Sequence, residues 1–345
     1  MDLLALDFGG TFVKRAVINE FAQITDREKE PAPVESLEAF LQYIAYTAVR
    51  YKDEIDGIAI SLPGVIDTDT GYVYFAGRYT GIIRQMELGQ MIEKRTGLRV
   101  TIENDAKAAI LAEMWKGALQ NVNDAAALII GSGIGCGIIL DGKLRKGHNN
   151  AAGEISLITE KPGQIGLEHS FPGHASMTGF LTRVAKAKHM RPEEFETAGN
   201  AEGNKISGKD VFNWLENGDE AVQAVYDSWM KDLAYLINML KCIADPKKIV
   251  IGGGVSNNDR FMKDPQAYYD TYCNYMHIPG GKTARWNAVH TPQMPIWSVR
   301  HMYGCRNMRI YRNDKRMPNP LLICAVKSVI LIVHISKNKR SEGIL

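Results

Sequence analysis

Three glycine clusters, each following a short apolar run, constrain the fold of this chain more than any other feature of its sequence. They are Gly9 with Gly10, residues 131–135, and residues 252–254. Glycine permits sharp turns and lets main-chain N–H groups approach an anion closely. One such cluster is typical of an ordinary turn, but α/β proteins bind ligands at the carboxyl ends of their strands. Three clusters at strand ends therefore favour a nucleotide-binding α/β protein.

The first two clusters lead into a second strand rather than into a helix. Apolar and β-branched residues resume at 12–18 after the first cluster and at 136–140 after the second. A Walker loop and a dinucleotide-binding fingerprint both require a helix at this point, so neither is expected. The second strand–glycine–strand unit follows the first by about 122 residues, which indicates a duplicated architecture.

Apolar periodicity predicts the elements between and after these turns. Further strands are predicted at 57–62, 98–102, 125–130 and 248–251, and helices at 35–51, 86–96, 108–118, 175–189, 208–217 and 219–244. The pattern predicts an α/β protein with an N-terminal domain at 1–118 and a C-terminal domain at 119–260.

Residues 261–345 differ in composition from the rest of the chain. They carry 13 Lys and Arg against 4 Asp and Glu, and they hold three of the five cysteines. The stretch 306–316 has no helical periodicity. We interpret 261–345 first as a tail produced by a frame shift between about 260 and 300, second as a divergent C-terminus, and third as a nucleic-acid-binding arm.

Cysteine spacing and hydropathy bear on the cellular compartment. The five cysteines form no CxxC pair, and the first residues show no secretory signal. The most apolar stretch, 321–335, is shorter than the ~20 residues that span a bilayer. These features predict a cytoplasmic protein without a membrane span.

Six short motifs in order resemble those of the ROK family, which comprises repressors, open reading frames and sugar kinases. The motifs are Asp7 to Thr11 with Lys14, residues 61–65 with Asp67 and Gly71, residues 103–106, residues 131–135, residues 152–155, and residues 249–255. The resemblance implies an actin-like ATPase (ribonuclease H-like) fold, with two domains and an interdomain cleft that takes ATP, Mg²⁺ and a sugar.

The resemblance also implies roles for individual residues at the nucleotide. The expected ATP-binding residues are Asp7, Gly9, Gly10, Thr11, Lys14, Gly131, Ser132, Gly133, Gly253 and Gly254. Asp7 is also expected to hold Mg²⁺. From local sequence alone, an Asx-type turn residue is an equally good interpretation of Asp7. Lys14 equally fits a solvated strand face.

On the sugar side, the resemblance makes Asp105 the catalytic base. Gly64, Asn104, Glu154 and Glu168 are the expected sugar-binding residues. The alternative for Asn104 and Asp105 is a helix cap, the commoner role of such residues at the start of a helix.

The sequence departs from the family where most members bind structural zinc. Leu157 stands at the position of a family histidine, and residues 163–176 contain no cysteine. A zinc-free variant is therefore expected, similar to family members that act on glucose or β-glucosides.

The expected reaction is the ATP-dependent phosphorylation of a hexose or β-glucoside at its 6-hydroxyl. One alternative is an inactive protein that binds sugar or nucleotide. Another is a sugar-responsive transcriptional regulator, which is disfavoured because no helix-turn-helix fits before Asp7. A nucleic-acid partner is accordingly not expected, whereas the resemblance is compatible with a homodimer.

Overall fold

The computed structural model of the protein describes residues 1–159, 163–164, 166, 169–196, 205–276 and 287–288. This part of the chain contains two five-stranded sheets and a smaller sheet of three strands. The small sheet is formed by β5 (Val65–Asp67), β6 (Tyr72–Phe75) and β7 (Met86–Glu87).

The first sheet is built around two apolar strands. Its strands are β1 (Asp2–Phe8), β2 (Phe12–Asn19), β3 (Ile24–Pro31), β4 (Gly57–Leu62) and β8 (Arg99–Asn104), in the order β3-β2-β1-β4-β8. β1 pairs antiparallel with β2 and parallel with β4, which in turn pairs parallel with β8. Every residue of β4 is buried, as expected for a central strand covered on both faces.

The second sheet repeats this topology. Its strands are β9 (Ala125–Ile130), β10 (Ile134–Leu140), β11 (Lys143–Leu144), β12 (Lys248–Gly252) and β13 (Asn287–Ala288), in the order β11-β10-β9-β12-β13. β9 pairs antiparallel with β10 across a glycine turn and parallel with β12, as β1 does with β2 and β4. The predicted duplication is therefore confirmed at the level of strand order.

Helices cover the sheets, and several begin at a polar cap. They are α1 (Leu37–Val49), α2 (Thr80–Ile83), α3 (Leu88–Thr96), α4 (Asp105–Lys116), α5 (Phe171–Ala175), α6 (Met177–Ala187), α7 (Gly208–Glu216), α8 (Glu220–Ala244) and α9 (Asp259–Met276). The side chains of Ser36 and Asp219 accept main-chain N–H groups at the starts of α1 and α8. Such caps satisfy donors that a helix start leaves without an internal partner.

Helix α4 contacts both large sheets. Ile110 and Leu111 belong to an apolar cluster with strand residues of the second sheet. Trp115, one turn further on, packs against a cluster of the first sheet. The amino end of α4, and Asp105 with it, is therefore held between the two sheets.

The predicted elements differ from the structure mainly at their ends. The helix predicted from residue 86 begins at Leu88, because Met86 and Glu87 pair with β6. Helix α9 continues past the predicted boundary at residue 260, and its Phe261 lies in the apolar cluster of the second sheet. Residues 277–286 and 289–345 lie outside the described residues, so the frame-shift interpretation stays a hypothesis.

Within residues that the structure describes, no helix combines the length and the apolarity needed to cross a bilayer.

Candidate active site

A cleft of about 1070 Å³ lies between the two large sheets. The carboxyl ends of β1, β4, β8, β9 and β12 all reach it, which is where α/β folds place their ligands. The predicted site residues that line it are Asp7, Gly9, Gly10, Lys14, Gly64, Asn104, Asp105, Gly131, Ser132, Gly133, Glu154, Gly253 and Gly254. Thr11 is not part of this lining, and Glu168 lies outside the described residues.

Asp7 is held on both of its oxygens by neighbouring strands. Strand register places it beside Lys14 of β2 and Ser61 of β4. The Ser61 hydroxyl donates to Asp7 Oδ1 at 2.9 Å, and Lys14 Nζ lies 3.6 Å from Asp7 Oδ2. The side chain of Asp7 is 6 % exposed, so this carboxylate is fixed at the floor of the cleft.

The first glycine turn is anchored by a segment that local sequence does not connect with it. The Gly9 N–H donates to the Phe12 carbonyl at 3.0 Å, which closes the turn. The Tyr79 hydroxyl donates to the Gly9 carbonyl at 2.6 Å, and the Arg78 guanidinium donates to the Gly10 carbonyl. Arg78 also lines the cleft, so it adds positive charge beside the turn.

Asn104 caps α4 and at the same time contacts the sugar-side loop. Its Oδ1 accepts the Ala106 and Lys107 N–H groups at 2.9 and 3.0 Å, and its Nδ2 donates to the Gly64 carbonyl at 2.8 Å. The predicted cap is thus present. An amide nitrogen carries two hydrogens, and the contact with Gly64 uses one of them.

Gly64 is the loop residue that this contact requires. Its φ of +107° is a conformation that residues with side chains rarely adopt, and an added Cβ would lie 2.1 Å from the Phe75 carbonyl oxygen. A glycine therefore brings the loop after β4 close enough for its carbonyl to meet Asn104.

Asp105, the first residue of α4, lies beside the second glycine loop. Its Oδ1 accepts the Ala106 N–H at 2.7 Å. A Cβ built on Gly135 would lie 2.7 Å from the Ala106 Cβ and 3.8 Å from Asp105 Oδ1. The absence of a side chain at Gly135 thus lets the second loop and the start of α4 come together.

Glu154 lies in the turn that follows β11 and lines the same cleft as Asp105. Its side chain is only 10 % exposed, and its Oε1 lies 3.3 Å from Lys107 Nζ. Burial raises the pKa of the Glu154 carboxyl to about 7, although the Lys107 ammonium opposes this change. Glu154 therefore changes its ionisation near neutral pH.

The far end of the cleft is formed by helices α6 and α8. Thr178, Thr182 and Arg183 come from α6, and Ser228 and Asp232 come from α8. Arg183 Nη1 donates to Asp232 Oδ2 at 2.6 Å. Gly253 and Gly254 of the third glycine cluster also line the cleft.

The donor set of the cleft fits Mg²⁺ bound together with phosphates. Mg²⁺ is usually held by one or two carboxylates plus substrate oxygens and water. Asp7 supplies one carboxylate. No group of three or more His, Cys, Asp and Glu side chains that could hold a metal by itself occurs within the described ranges.

Sequence reasoning missed several residues that shape the site. Arg78, Lys107, Arg183 and Asp232 were not singled out, and Ser61 was named only as part of the motif at 61–65, without a role of its own. Lys107 could have been found from the sequence, because a lysine interrupts the apolar run of α4, where its side chain is 1 % exposed. Arg78, Arg183 and Asp232 carry no local signal, because their contacts join segments that meet only in the folded chain.

Comparison with known proteins agrees with this geometry. The model of the ROK family matches residues 3–277. A glucokinase of Halalkalibacterium halodurans is 30 % identical over 290 residues, which cover 78 % of this chain and 85 % of that one. A beta-glucoside kinase of Listeria monocytogenes is 28 % identical over 277 residues, covering 79 % and 89 %.

A solved structure gives the same result for the fold. The ROK family glucokinase of Streptomyces griseus, in complex with glucose and AMPPNP, superposes with a TM-score of 0.66 at 24 % identity. The match covers 79 % of this chain and 89 % of that chain. The actin-like ATPase fold predicted from the motifs is thereby confirmed. Because the family model spans most of the sequence, this chain belongs to the ROK family.

Proposed function

We propose that this protein transfers the γ-phosphoryl group of ATP to the 6-hydroxyl of a hexose or β-glucoside. The observation that carries the proposal is the position of Asp105. It lies beside the second glycine loop, next to Asn104, in a cleft that Glu154 also lines. A carboxylate between a phosphate-binding loop and hydroxyl-binding side chains has the placement that a kinase base requires.

In the proposed mechanism Asp105 orients the attacking hydroxyl and accepts its proton as the new O–P bond forms, while the bond from the γ-phosphorus to the β–γ bridging oxygen breaks and ADP leaves. Phosphoryl transfer depends mostly on positioning and on charge stabilisation around the phosphates. Asn104 and Glu154 would fix the sugar by hydrogen bonds to neighbouring hydroxyls, since an ionised carboxylate accepts two at once. Closure of the cleft would exclude water, which otherwise competes with the sugar.

The phosphate side would rely on the glycine turns and on cationic side chains. Lys14, Arg78 and Arg183 line the cleft and supply positive charge. Asp7 is the carboxylate that would hold Mg²⁺ bound with the nucleotide, and the ion would supply charge neutralisation at the phosphate oxygens. A cytoplasmic location and a homodimer remain predictions.

Sugar-dependent release of ADP from Mg-ATP tests the proposal. We expect turnover with one class among glucose, cellobiose, an aryl β-glucoside, mannose, fructose and N-acetylmannosamine. Turnover should disappear when EDTA removes Mg²⁺ and return when Mg²⁺ is restored in excess. A product phosphorylated at the 6-hydroxyl, identified by ³¹P and ¹³C NMR, would establish the position of transfer.

Silence across the panel would contradict the proposal. A folded, silent chain that still binds a sugar or AMPPNP by calorimetry would favour the inactive binding protein. Specific retention of an operator DNA that a sugar releases would favour the regulator instead.

Glu154 makes sugar use depend on pH near neutrality. Its carboxyl has a pKa of about 7, so it is largely protonated below that pH and ionised above it. The ionised form is the better acceptor of sugar hydroxyls. We therefore expect kcat/KM for the sugar to rise with pH through about 7 because this parameter reports ionisations of the free enzyme.

Glu154→Gln should lower kcat/KM for the sugar and flatten this part of the profile, while KM for ATP stays near its original value. Glu216→Gln, at an exposed position of α7, is the matched control and should keep the wild-type profile. A Glu154→Gln profile that still rises through pH 7 would assign the ionisation to another group.

A further inference from the structure

Lys107 is a buried lysine with no part in the phosphoryl transfer described so far. It is the third residue of α4, its side chain is 1 % exposed, and it is not among the residues that line the cleft. A buried cation is costly unless it is paired and hydrogen-bonded. Lys107 Nζ donates to the Asn150 carbonyl at 2.6 Å and to Glu154 Oε1 at 3.3 Å.

These contacts join the catalytic helix to the turn that carries Glu154. At the start of α4, the main-chain N–H of Lys107 donates to Asn104 Oδ1. A second ion pair joins the start of this turn to the end of β8, directly before α4, because Lys146 Nζ lies 3.6 Å from Glu103 Oε2, whose side chain is 3 % exposed. The turn is therefore attached at both ends to the segment that contains Asp105.

The charges around Glu154 explain why an ammonium is needed there. Burial is the largest influence that favours its protonated form, and the Asp105 carboxylate adds to it by repulsion. The Cys136 thiol, also close by, is fully buried, and burial raises its pKa, so it brings no charge of its own. Lys107 is the cation that favours the ionised form, by charge and by hydrogen bond.

We infer that Lys107 is a positioning residue, which favours the ionised form of the Glu154 carboxylate and holds it toward the cleft for sugar binding. The inference rests on the proposed sugar-kinase function. Lys107 touches neither substrate in this scheme and acts only through Glu154.

The test removes the charge of Lys107 and follows the ionisation of Glu154. Lys107→Gln keeps a hydrogen-bond donor without the charge, Lys107→Met removes both, and Lys107→Arg keeps the charge. Each full-length variant is labelled with [δ-¹³C]glutamate, and the carboxyl resonance of residue 154, assigned by its loss in Glu154→Gln, is titrated by NMR. This readout needs no activity, so it remains informative if the proposed reaction is wrong.

In the wild type we expect a midpoint near pH 7. In Lys107→Gln and Lys107→Met the midpoint should move upward by about 1 pH unit or more, because an opposite charge within hydrogen-bond distance shifts a carboxyl by that much. At pH 7 such a change leaves about a tenth of Glu154 ionised, so kcat/KM for the sugar should fall about fivefold or more. KM for ATP should stay near its original value.

In Lys107→Arg the midpoint of Glu154 should stay close to that of the wild type. Lys116→Gln, an exposed change at the other end of α4, should not move this midpoint. A charge-removing variant that melts cooperatively but keeps its Glu154 midpoint near pH 7 would overturn the inference. If neither charge-removing variant folds, Lys107 serves the stability of the fold and the inference is likewise overturned. Absence of sugar turnover in the wild type would instead count against the proposed function.

Discussion

Replacing Asp105 with asparagine should lower kcat for sugar phosphorylation by about 10²-fold or more. The change removes the group that we propose accepts the proton of the attacking hydroxyl but keeps the shape of the side chain. The asparagine Oδ1 can still accept the Ala106 N–H that Asp105 Oδ1 accepts at 2.7 Å. We therefore expect the start of α4 to keep its structure and the thermal melting temperature to change little.

Steady-state ADP release at saturating ATP and sugar measures this effect. Asp259→Asn is the matched control, because Asp259 is likewise the first residue of a helix, α9, and is not among the residues that line the cleft. The control should keep wild-type turnover. A loss below about tenfold in Asp105→Asn would mean that another group accepts the proton or that the reaction is of a different kind.

The parts of the fold that depend on local sequence could be predicted well. The glycine turn after β1 and the one after β9 each join two adjacent strands, so their hairpins follow from turn chemistry and β-branched runs. Helix α8 was predicted within one residue of its observed start at Glu220, because an apolar stripe runs along it and Asp219 caps it. The actin-like fold followed from the family resemblance rather than from these local patterns, and the order of the strands was not predicted.

The cap of α4 shows where local sequence leaves two interpretations open. A helix cap and a sugar-binding amide were alternatives for Asn104, and the structure has the cap. The two roles use different atoms, since Oδ1 binds the helix while Nδ2 faces the Gly64 carbonyl. The structure therefore removes the need to choose between them, although a sugar contact stays a prediction.

The contacts between distant segments could not be predicted from local patterns. Arg78 and Tyr79 bind the turn at Gly9 and Gly10, which lies about 70 residues earlier in the chain. Lys107 binds the turn that carries Glu154, more than 40 residues later in the chain. Such pairings arise only when β strands bring their carboxyl ends to one cleft. Local patterns identify polar residues at strand ends, but the partner of each is set by the tertiary structure.

The largest expected effect on stability comes from Trp229 in α8. Its indole is fully buried and stacks on Phe180 with ring centroids 4.3 Å apart, and its Nε1 donates to the Ala175 carbonyl at 2.9 Å. Trp229→Ala would leave a large cavity and an unpaired buried carbonyl. We expect the free energy of unfolding to fall by about 3–5 kcal/mol, a large share of the ~5–15 kcal/mol that folded domains possess.

This loss should reach the cleft, because Ser228 and Asp232 on the same helix line it. Urea unfolding followed by circular dichroism measures the change, and calorimetry with AMPPNP shows whether nucleotide binding weakens with it. Tyr235→Ala is the matched aromatic control on α8, where the side chain is 45 % exposed, and it should cost at most about 1 kcal/mol. Trp229→Phe keeps an aromatic ring but loses the N–H, so its midpoint should lie between those of the two alanine variants. Equal midpoints for Trp229→Ala and Tyr235→Ala would show that the stacked indole does not hold α8 in place.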